Sequence, residues 1–78
     1  MSRLSELILV RLEALGLSTA EFVAICVAEL GVCRATPYNW IKTGGPPRIS
    51  RWAGLARVLQ VPVRTVSEAV QLDVEGAA

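Results

Sequence analysis

The chain of 78 residues contains no histidine and only two cysteines. Without histidine it lacks the commonest general base and the commonest metal ligand. Cys26 and Cys33 are seven positions apart, so in near-helical backbone their separation would be roughly 10 Å, too far for a disulfide. We expect two reduced, mostly buried thiols, no metal site, no cofactor and no enzymatic activity.

Long hydrophobic runs are also missing. The longest uninterrupted apolar stretch, Phe22 to Ala28, has seven residues, whereas a membrane-spanning helix needs about 18 or more. The opening residues, MSRLSE, place an acid close behind the basic residue and lack the small-residue cleavage pattern of a secretory signal. The sequence therefore predicts a cytoplasmic protein.

Charged residues are few, at 19% of the chain, while hydrophobic residues make up 53%. A typical domain has about 25% charged residues and about 45–50% apolar residues with glycine included. A chain this short has a modest core in which to bury them. We therefore predict a self-association surface and a homodimer; a monomer with some exposed aliphatic side chains is the alternative. The apolar residues in excess of what the core can bury lie on the predicted first, second and fifth helices, at Leu9, Val10, Val23, Val27, Val70 and Leu72.

Acidic residues are absent from the middle of the chain. No Asp or Glu occurs between Glu29 and Glu68, and residues 34–64 carry six basic side chains. In a chain whose net charge is only +1, such a segment indicates a surface that faces a polyanion. Chance segregation of charges in a short sequence would give the same pattern without a function.

The residues that are present form short helical patterns separated by caps and breakers. Apolar residues repeat at helical spacing before Gly16, which suits the left-handed position after a first helix, with Leu17 closing the turn. Ser18 and Glu21 have the spacing of a capping box, so a second helix should start near Thr19. It is apolar nearly all round, which predicts burial on most sides.

The second half of the chain contains three further helical segments. Gly31 ends the second helix, a third follows, and a fourth runs from about Pro47 or Arg48 to Gln60. Pro62 is suited to open a fifth. The sequence therefore predicts an all-α, compact five-helix domain over residues 1–72, with residues 73–78 as a short frayed tail.

The segment GVCRATPYNWIKTG, residues 31–44, has the form of the second half of a helix-turn-helix. In that motif a glycine-bearing turn sets a short helix across the preceding one, and its first side chains reach base edges in the major groove. Trp40 and Ile41 would point inward. The candidate base-reading residues are Arg34, Ala35, Tyr38 and Asn39. The candidate phosphate contacts in this segment are Thr36, Lys42 and Thr43. A structural helix-loop-helix with solvated polar residues is the alternative.

This segment resembles the helix-turn-helix of the lambda-repressor-like, Cro/XRE-type regulators. The stretch PRISRWAGLARVLQVPVRTV, residues 47–66, is similar to that family's fourth helix and the start of its fifth in one ungapped register. The resemblance covers roughly residues 4–70 and implies a lambda-repressor-like fold and a regulator that binds double-stranded DNA, most simply as a repressor. It also implies that Arg48 and Arg51 face the DNA backbone. A homodimer would place two recognition helices on half-sites about 34 Å apart.

Three features depart from that family. Gly31 follows Ser18 by thirteen positions, which makes the second helix about one turn longer than usual. The loop after the third helix has an extra residue and two prolines. Pro37 stands where the family has an aliphatic core residue. Because proline is favoured at the first helical position and Thr36 is a good N-cap, we expect the third helix to start late, at Pro37, after a longer turn over residues 33–36.

Two other functions fit parts of the sequence. The same segment also resembles the MerR/excisionase-type winged helix-turn-helix, in which a β-hairpin wing follows, although residues 48–60 have helical periodicity. A small helical protein-interaction module, of the antitoxin or anti-repressor type, would use the surface of the second helix to bind a partner. Such a module has no need of a stretch of 38 residues, Leu30 to Ser67, without an acid. That stretch favours DNA binding.

Overall fold

Five helices and no strand make up the part of the chain that the computed structural model describes, residues 3–42 and 47–77. The helices are α1 (Arg3–Leu15), α2 (Thr19–Leu30), α3 (Ala35–Lys42), α4 (Ile49–Leu59) and α5 (Val63–Ala77). The predicted all-α class is confirmed. Residues 49–59 are helical, so a β-hairpin wing of the MerR/excisionase type does not occupy them. None of the described helices combines the length and the apolar character needed to cross a bilayer.

The ends of α1 and α2 follow the chemistry of their capping residues. The Ser18 hydroxyl accepts a hydrogen bond from the Glu21 amide, and the Glu21 carboxylate accepts one from the Ser18 amide, both at 3.1 Å. Gly16 has a φ of 70° and Gly31 a φ of 66°, the left-handed conformation that glycine adopts without a steric penalty. The Leu17 amide donates back into the last turns of α1 at 2.9 Å, as in a Schellman motif. The predicted capping box and both glycine ends are confirmed.

The end of α4 has the same left-handed backbone conformation as the ends of α1 and α2, but the residue there is not glycine. Gln60 lies in the left-handed region, with a φ of 58°, and its amide bonds back to α4. The Val61 amide donates to the Ala56 carbonyl at 3.0 Å, and the Val61 side chain packs against the core. The Gln60 side chain is exposed, so little packing offsets a backbone conformation that costs a non-glycine residue about 1 kcal/mol.

Replacing Gln60 with glycine should therefore raise the free energy of unfolding by about 0.5–1 kcal/mol, as measured by urea denaturation. Gly16→Ala is the converse control. Apart from Gly16 and its two chain neighbours, no atom of the described residues lies within 4 Å of the Cβ that it would add. Its cost of about 1 kcal/mol is therefore that of the left-handed backbone. A Gln60→Gly variant less stable than the wild type would contradict this account of the α4 end.

The hydrophobic core lies where the five helices meet. Trp40 of α3 is only 3% exposed and belongs to it, as predicted. The repeat of buried positions along α1, at residues 4, 8 and 12, is the helical stripe seen in the sequence. The buried hydrophobic side chains of the core cluster are Leu4, Ile8, Leu12, Phe22, Val23, Cys26, Leu30, Trp40, Leu55, Ala56, Leu59, Val66 and Val70.

The second helix is less buried than its composition suggests. Burial on most sides was expected, but Ala20, Ala24 and Ala28 are exposed. Alanine carries little apolar area, so exposing it costs little. Val23 and Val70, counted from the sequence among the surplus apolar residues, are 0% and 5% exposed and belong to the protein's own core. Those two residues therefore contribute no self-association surface, and that part of the expectation is wrong.

A buried serine docks α3 on α1. Ser5 is 1% exposed, and its hydroxyl proton is shared between the Trp40 carbonyl, at 3.0 Å, and the Ile41 carbonyl, at 2.7 Å. The last carbonyls of a helix have no partner inside that helix. A donor from α1 therefore satisfies groups that burial would otherwise leave unpaired, and it fixes the position of α3 on α1.

The end of α5 holds the start of α1. The Asp73 carboxylate accepts hydrogen bonds from the Arg3 amide at 2.6 Å and from the Leu4 amide at 3.1 Å. The first amides of a helix lack intrahelical acceptors and favour a negative charge. The structure thus differs from the predicted frayed tail over residues 73–78, because residues 73–77 continue α5 and Asp73 stabilises α1.

Ser5→Ala should lower the free energy of unfolding by about 1–3 kcal/mol, because two carbonyls at the end of α3 lose their buried donor. Chemical denaturation followed by tryptophan fluorescence measures this directly. Ser50→Ala, at an exposed position of α4, is the control and should change stability by no more than about 0.5 kcal/mol. Equal effects of the two substitutions would show that Ser5 does not dock α3.

Candidate nucleic-acid interface

The chain turns between α2 and α3 over residues 31–34. The Gly31 amide donates to the Val27 carbonyl at 3.2 Å, which closes α2. Val32 is half-buried and packs against the core, whereas Cys33 and Arg34 are exposed. Because Val32 turns inward, the two side chains that follow it are presented to solvent at the start of α3.

Pro37 lies inside α3 rather than at its start. The helix begins at Ala35, so the expected start at Pro37 with Thr36 as N-cap is wrong. The Thr36 amide bonds to the Cys33 carbonyl at 3.1 Å, and Pro37 is the third helical residue. The first amides of a helix have no intrahelical acceptor, so a proline in the first turn removes no helix hydrogen bond. Its side chain is fully buried and fills a core position, as an aliphatic residue would.

The outer face of α3 and the turn residue just before it carry the predicted base-reading residues. Three of these are exposed, namely Arg34, Ala35 and Asn39, and Tyr38 is half-buried. Residues three and four apart are neighbours on a helix surface, so these side chains lie on adjoining parts of one face. Trp40 is turned into the core and Ile41 is half-buried against it, which matches the inward orientation predicted for both.

Lys42 lies at the end of the same face. Its Nζ atom is 5.9 Å from the centroid of the Tyr38 ring, within the range of a cation–π contact. The two residues are one helical turn apart, and this contact places the lysine cation beside the residues predicted to read bases. Thr43, the next predicted phosphate contact, lies outside the described residues.

A cleft of about 350 Å³ lies between α3 and the start of α4. Thr36, Arg48 and Arg51, all predicted phosphate contacts, line it. Arg48 is exposed and precedes α4 without a side-chain hydrogen bond to the helix. The Trp52 indole N–H donates to the Pro47 carbonyl at 3.1 Å and fixes the chain at the edge of the cleft. The structure thus brings the three predicted residues together.

Arg51 also has a role within the fold. Its guanidinium donates to the carbonyl of Leu30, the last residue of α2. A cation at the carboxyl end of a helix is stabilised by the helix dipole. Arg51 therefore ties α4 to the turn that precedes α3, and only its remaining donors are available to a phosphate.

The two cysteines differ in exposure. Both are free thiols, but Cys33 is exposed and only Cys26 is buried, so the expectation of two mostly buried thiols is wrong for Cys33. The Cys33 sulfur lies 3.1 Å from the Thr36 hydroxyl oxygen, and the hydrogen bond from Thr36 lowers the pKa of the Cys33 thiol. Burial raises the pKa of Cys26 to about 12. The exposure of Cys33 could have been inferred from the sequence. Cys33 lies in the turn between Gly31 and a short helix, where a small polar residue would be typical.

Cys33 should therefore react with iodoacetamide at neutral pH, whereas Cys26 should react only after unfolding. Thr36→Val removes the hydroxyl that stabilises the thiolate, so it should raise the pKa of Cys33 and slow its alkylation below pH 8.5, about the ordinary thiol value. Peptide mapping by mass spectrometry over a pH series measures both rates. Equal labelling of the two cysteines in the folded protein would contradict the burial difference.

The remaining basic residues of the acid-free segment lie away from α3. Arg57 and Glu29 both line a separate cleft of about 440 Å³ formed by α1, α2 and α4. Arg64 is exposed near the start of α5. The exposed cations on α3, on the turn before it and at the start of α4 are Arg34, Lys42 and Arg48.

Comparison of the chain with protein-family models, curated proteins and solved structures found no significant match.

Proposed function

We propose that the chain is a sequence-specific DNA-binding transcriptional regulator of the helix-turn-helix type, with α3 as its recognition helix. Its resemblance to Cro/XRE-type regulators, over residues 31–44 and 47–66, supports this. The observation that carries the proposal is an exposed surface formed by Arg34 in the turn before α3 and by Asn39 and Lys42 on α3. It is set within a stretch of sequence that has no acid from residue 30 to residue 67.

Each exposed side chain suits a different part of a DNA duplex. The Arg34 guanidinium can donate to both O6 and N7 of guanine, and the Asn39 amide can pair with N6 and N7 of adenine. Ala35 can contact a thymine methyl group. Lys42 and Arg48 suit phosphates on either side of the groove. The major groove, about 12 Å wide, admits an α-helix such as α3.

Occupation of an operator is the simplest mode of action for a domain with one DNA-reading face. Binding there excludes other proteins from the same duplex without any contact to them. The regulator would then be a repressor, whose effect depends on the affinity and sequence preference of α3.

A protein-interaction module of the antitoxin or anti-repressor type is the second candidate. The exposed surface of α2 supports it, because Ala24, Val27 and Ala28 line a shallow groove of about 250 Å³ together with Arg34. A partner helix in that groove would cover Arg34 and compete with DNA. The acid-free basic stretch favours DNA as the primary partner.

Asn39→Ala and Lys42→Ala should affect DNA binding differently. Asn39→Ala should cost about 1–3 kcal/mol on a preferred duplex and relax the preference at one base pair. Lys42→Ala should weaken binding to all duplexes alike and reduce the slope of log K against log salt concentration by about one. Anisotropy titrations at several salt concentrations, on a duplex selected from a random-sequence library, measure both effects.

Arg57→Ala is the matched control for the loss of charge. It removes one cation from the far end of α4, where Arg57 and Glu29 line the same cleft, and it should leave both affinity and salt slope unchanged. If neither Asn39→Ala nor Lys42→Ala changes binding, or if no duplex is preferred over bulk DNA, the DNA-reading function is rejected.

A further inference from the structure

Arg51 lies between two parts of the candidate interface. It belongs to the first turn of α4 and is half-buried. Its guanidinium donates to the carbonyl of Leu30, the last residue of α2, and Gly31 begins the turn that carries Arg34. The same side chain lines the cleft between α3 and the start of α4. One arginine therefore binds the end of α2 and borders the proposed phosphate site.

The end of α2 lies close to α4 beside this hydrogen bond. The Leu30 side chain belongs to the hydrophobic core. A Cβ atom on Gly54 would overlap that side chain, so the absence of a side chain at Gly54 lets the two helices approach closely. Arg51 and Gly54 are three positions apart, which makes them neighbours on one side of α4. The end of α2 is therefore held against α4 by a hydrogen bond and by close packing at the same place.

A guanidinium group is suited to two acceptors at once. It carries several N–H donors in a rigid planar fork. The hydrogen bond from Arg51 to the Leu30 carbonyl leaves other donors for a phosphate oxygen in the cleft. Because the fork is rigid, it would hold the two acceptors at a fixed separation. A phosphate bound by Arg51 would then have a fixed position relative to the turn that carries Arg34.

We propose that Arg51 is a positioning residue that determines base preference where Arg34 contacts DNA. It acts through the Leu30 carbonyl, which fixes the turn before α3, and it needs no contact with a base. Ser5 docks α3 itself on α1, so the base contact of Asn39 does not depend on Arg51 in the same way. This inference deepens the proposed function and rests on it.

Amide hydrogen exchange without DNA tests whether Arg51 holds the turn. Arg51→Ala should speed exchange of the Leu30 and Gly31 amides about tenfold or more, because the end of α2 loses a hydrogen bond from a charged donor. Arg48→Ala is the matched control. Arg48 lines the same cleft but is exposed, so its loss should change this exchange less than about twofold. Equal exchange rates in the two variants overturn the proposal.

Titrations on duplexes that differ at single base pairs test the effect on base preference. Arg34→Ala and Asn39→Ala each identify one base pair, namely the pair whose contribution to affinity the variant loses. Arg48→Ala should lower the salt slope by about one, and Arg51→Ala by no more than that. Only Arg51→Ala should also reduce the preference at the Arg34 base pair, by about tenfold. The preference at the Asn39 base pair should be retained in both.

Arg51→Lys separates the charge of the side chain from its geometry. It keeps a cation beside the cleft but replaces the planar fork with a single ammonium group. We expect a salt slope within about 0.3 of the wild-type value and the same loss of preference at the Arg34 base pair as in Arg51→Ala. A lysine that preserves this preference would show that a cation alone is enough, and that result overturns the proposal. Circular dichroism checks that each variant keeps the wild-type helix content.

The two proposals fail in different ways. If a duplex is preferred but Arg51→Ala weakens binding to all duplexes equally, Arg51 is a phosphate contact only. The proposed function then stands and the positioning role is rejected. If no duplex is preferred over bulk DNA, the proposed function is rejected together with the DNA role of Arg51. Exchange of the Leu30 and Gly31 amides still shows in that case whether Arg51 holds the turn.

Discussion

The position of α3 depends on one hydroxyl group. Ser5 of α1 donates to the Trp40 and Ile41 carbonyls, at the end of a helix that has only eight residues. So short a helix is not stable by itself in water, and it is held by its contacts with α1 and α2. The Trp40 side chain supplies the apolar part of that contact, and Ser5 satisfies the carbonyls that the contact buries. The exposed side chains of α3 can have fixed positions only because its inner side is held in this way.

The turn before α3 is fixed from both sides. Gly31 takes the left-handed conformation on the α2 side, and Arg51 binds the Leu30 carbonyl from α4. Pro37 then stiffens the first turn of α3 without removing a helix hydrogen bond, and its burial adds to the core. A residue that looks like a helix breaker in the sequence is thus part of what anchors the helix. Pro37 is tolerated because it lies in the first turn of α3, since the same proline further along the helix would remove a hydrogen bond.

Local chemistry made part of the fold predictable, and contacts between distant residues set the rest. The Ser18–Glu21 capping box and the Gly16 and Gly31 ends depend on neighbours within a few positions, so the sequence alone identifies them. Trp40 was predictable as a core residue because its spacing within the segment places it inward. The roles of Ser5, Asp73 and Arg51 depend on partners 35, 70 and 21 positions away. The pattern of apolar residues says nothing about such pairs. Ser5 and Asp73 look in the sequence like ordinary polar surface residues, and Arg51 was predicted only as a phosphate contact.

The number of available cations limits the strength of the proposed DNA contact. Of the six basic residues in the acid-free segment, Arg51 is engaged with the α2 carboxyl end, Arg57 lines a cleft together with Glu29, and Arg64 lies near the start of α5. Lys42 and Arg48 remain as proposed phosphate contacts beside Arg34, the proposed base contact, and so few phosphate contacts would give weak binding at physiological salt. Two linked copies on one duplex would double the contacts and make the second one intramolecular, which raises affinity without any new side chain. Because the chain uses Arg51 to build its fold, the proposed DNA binding would gain most from such pairing.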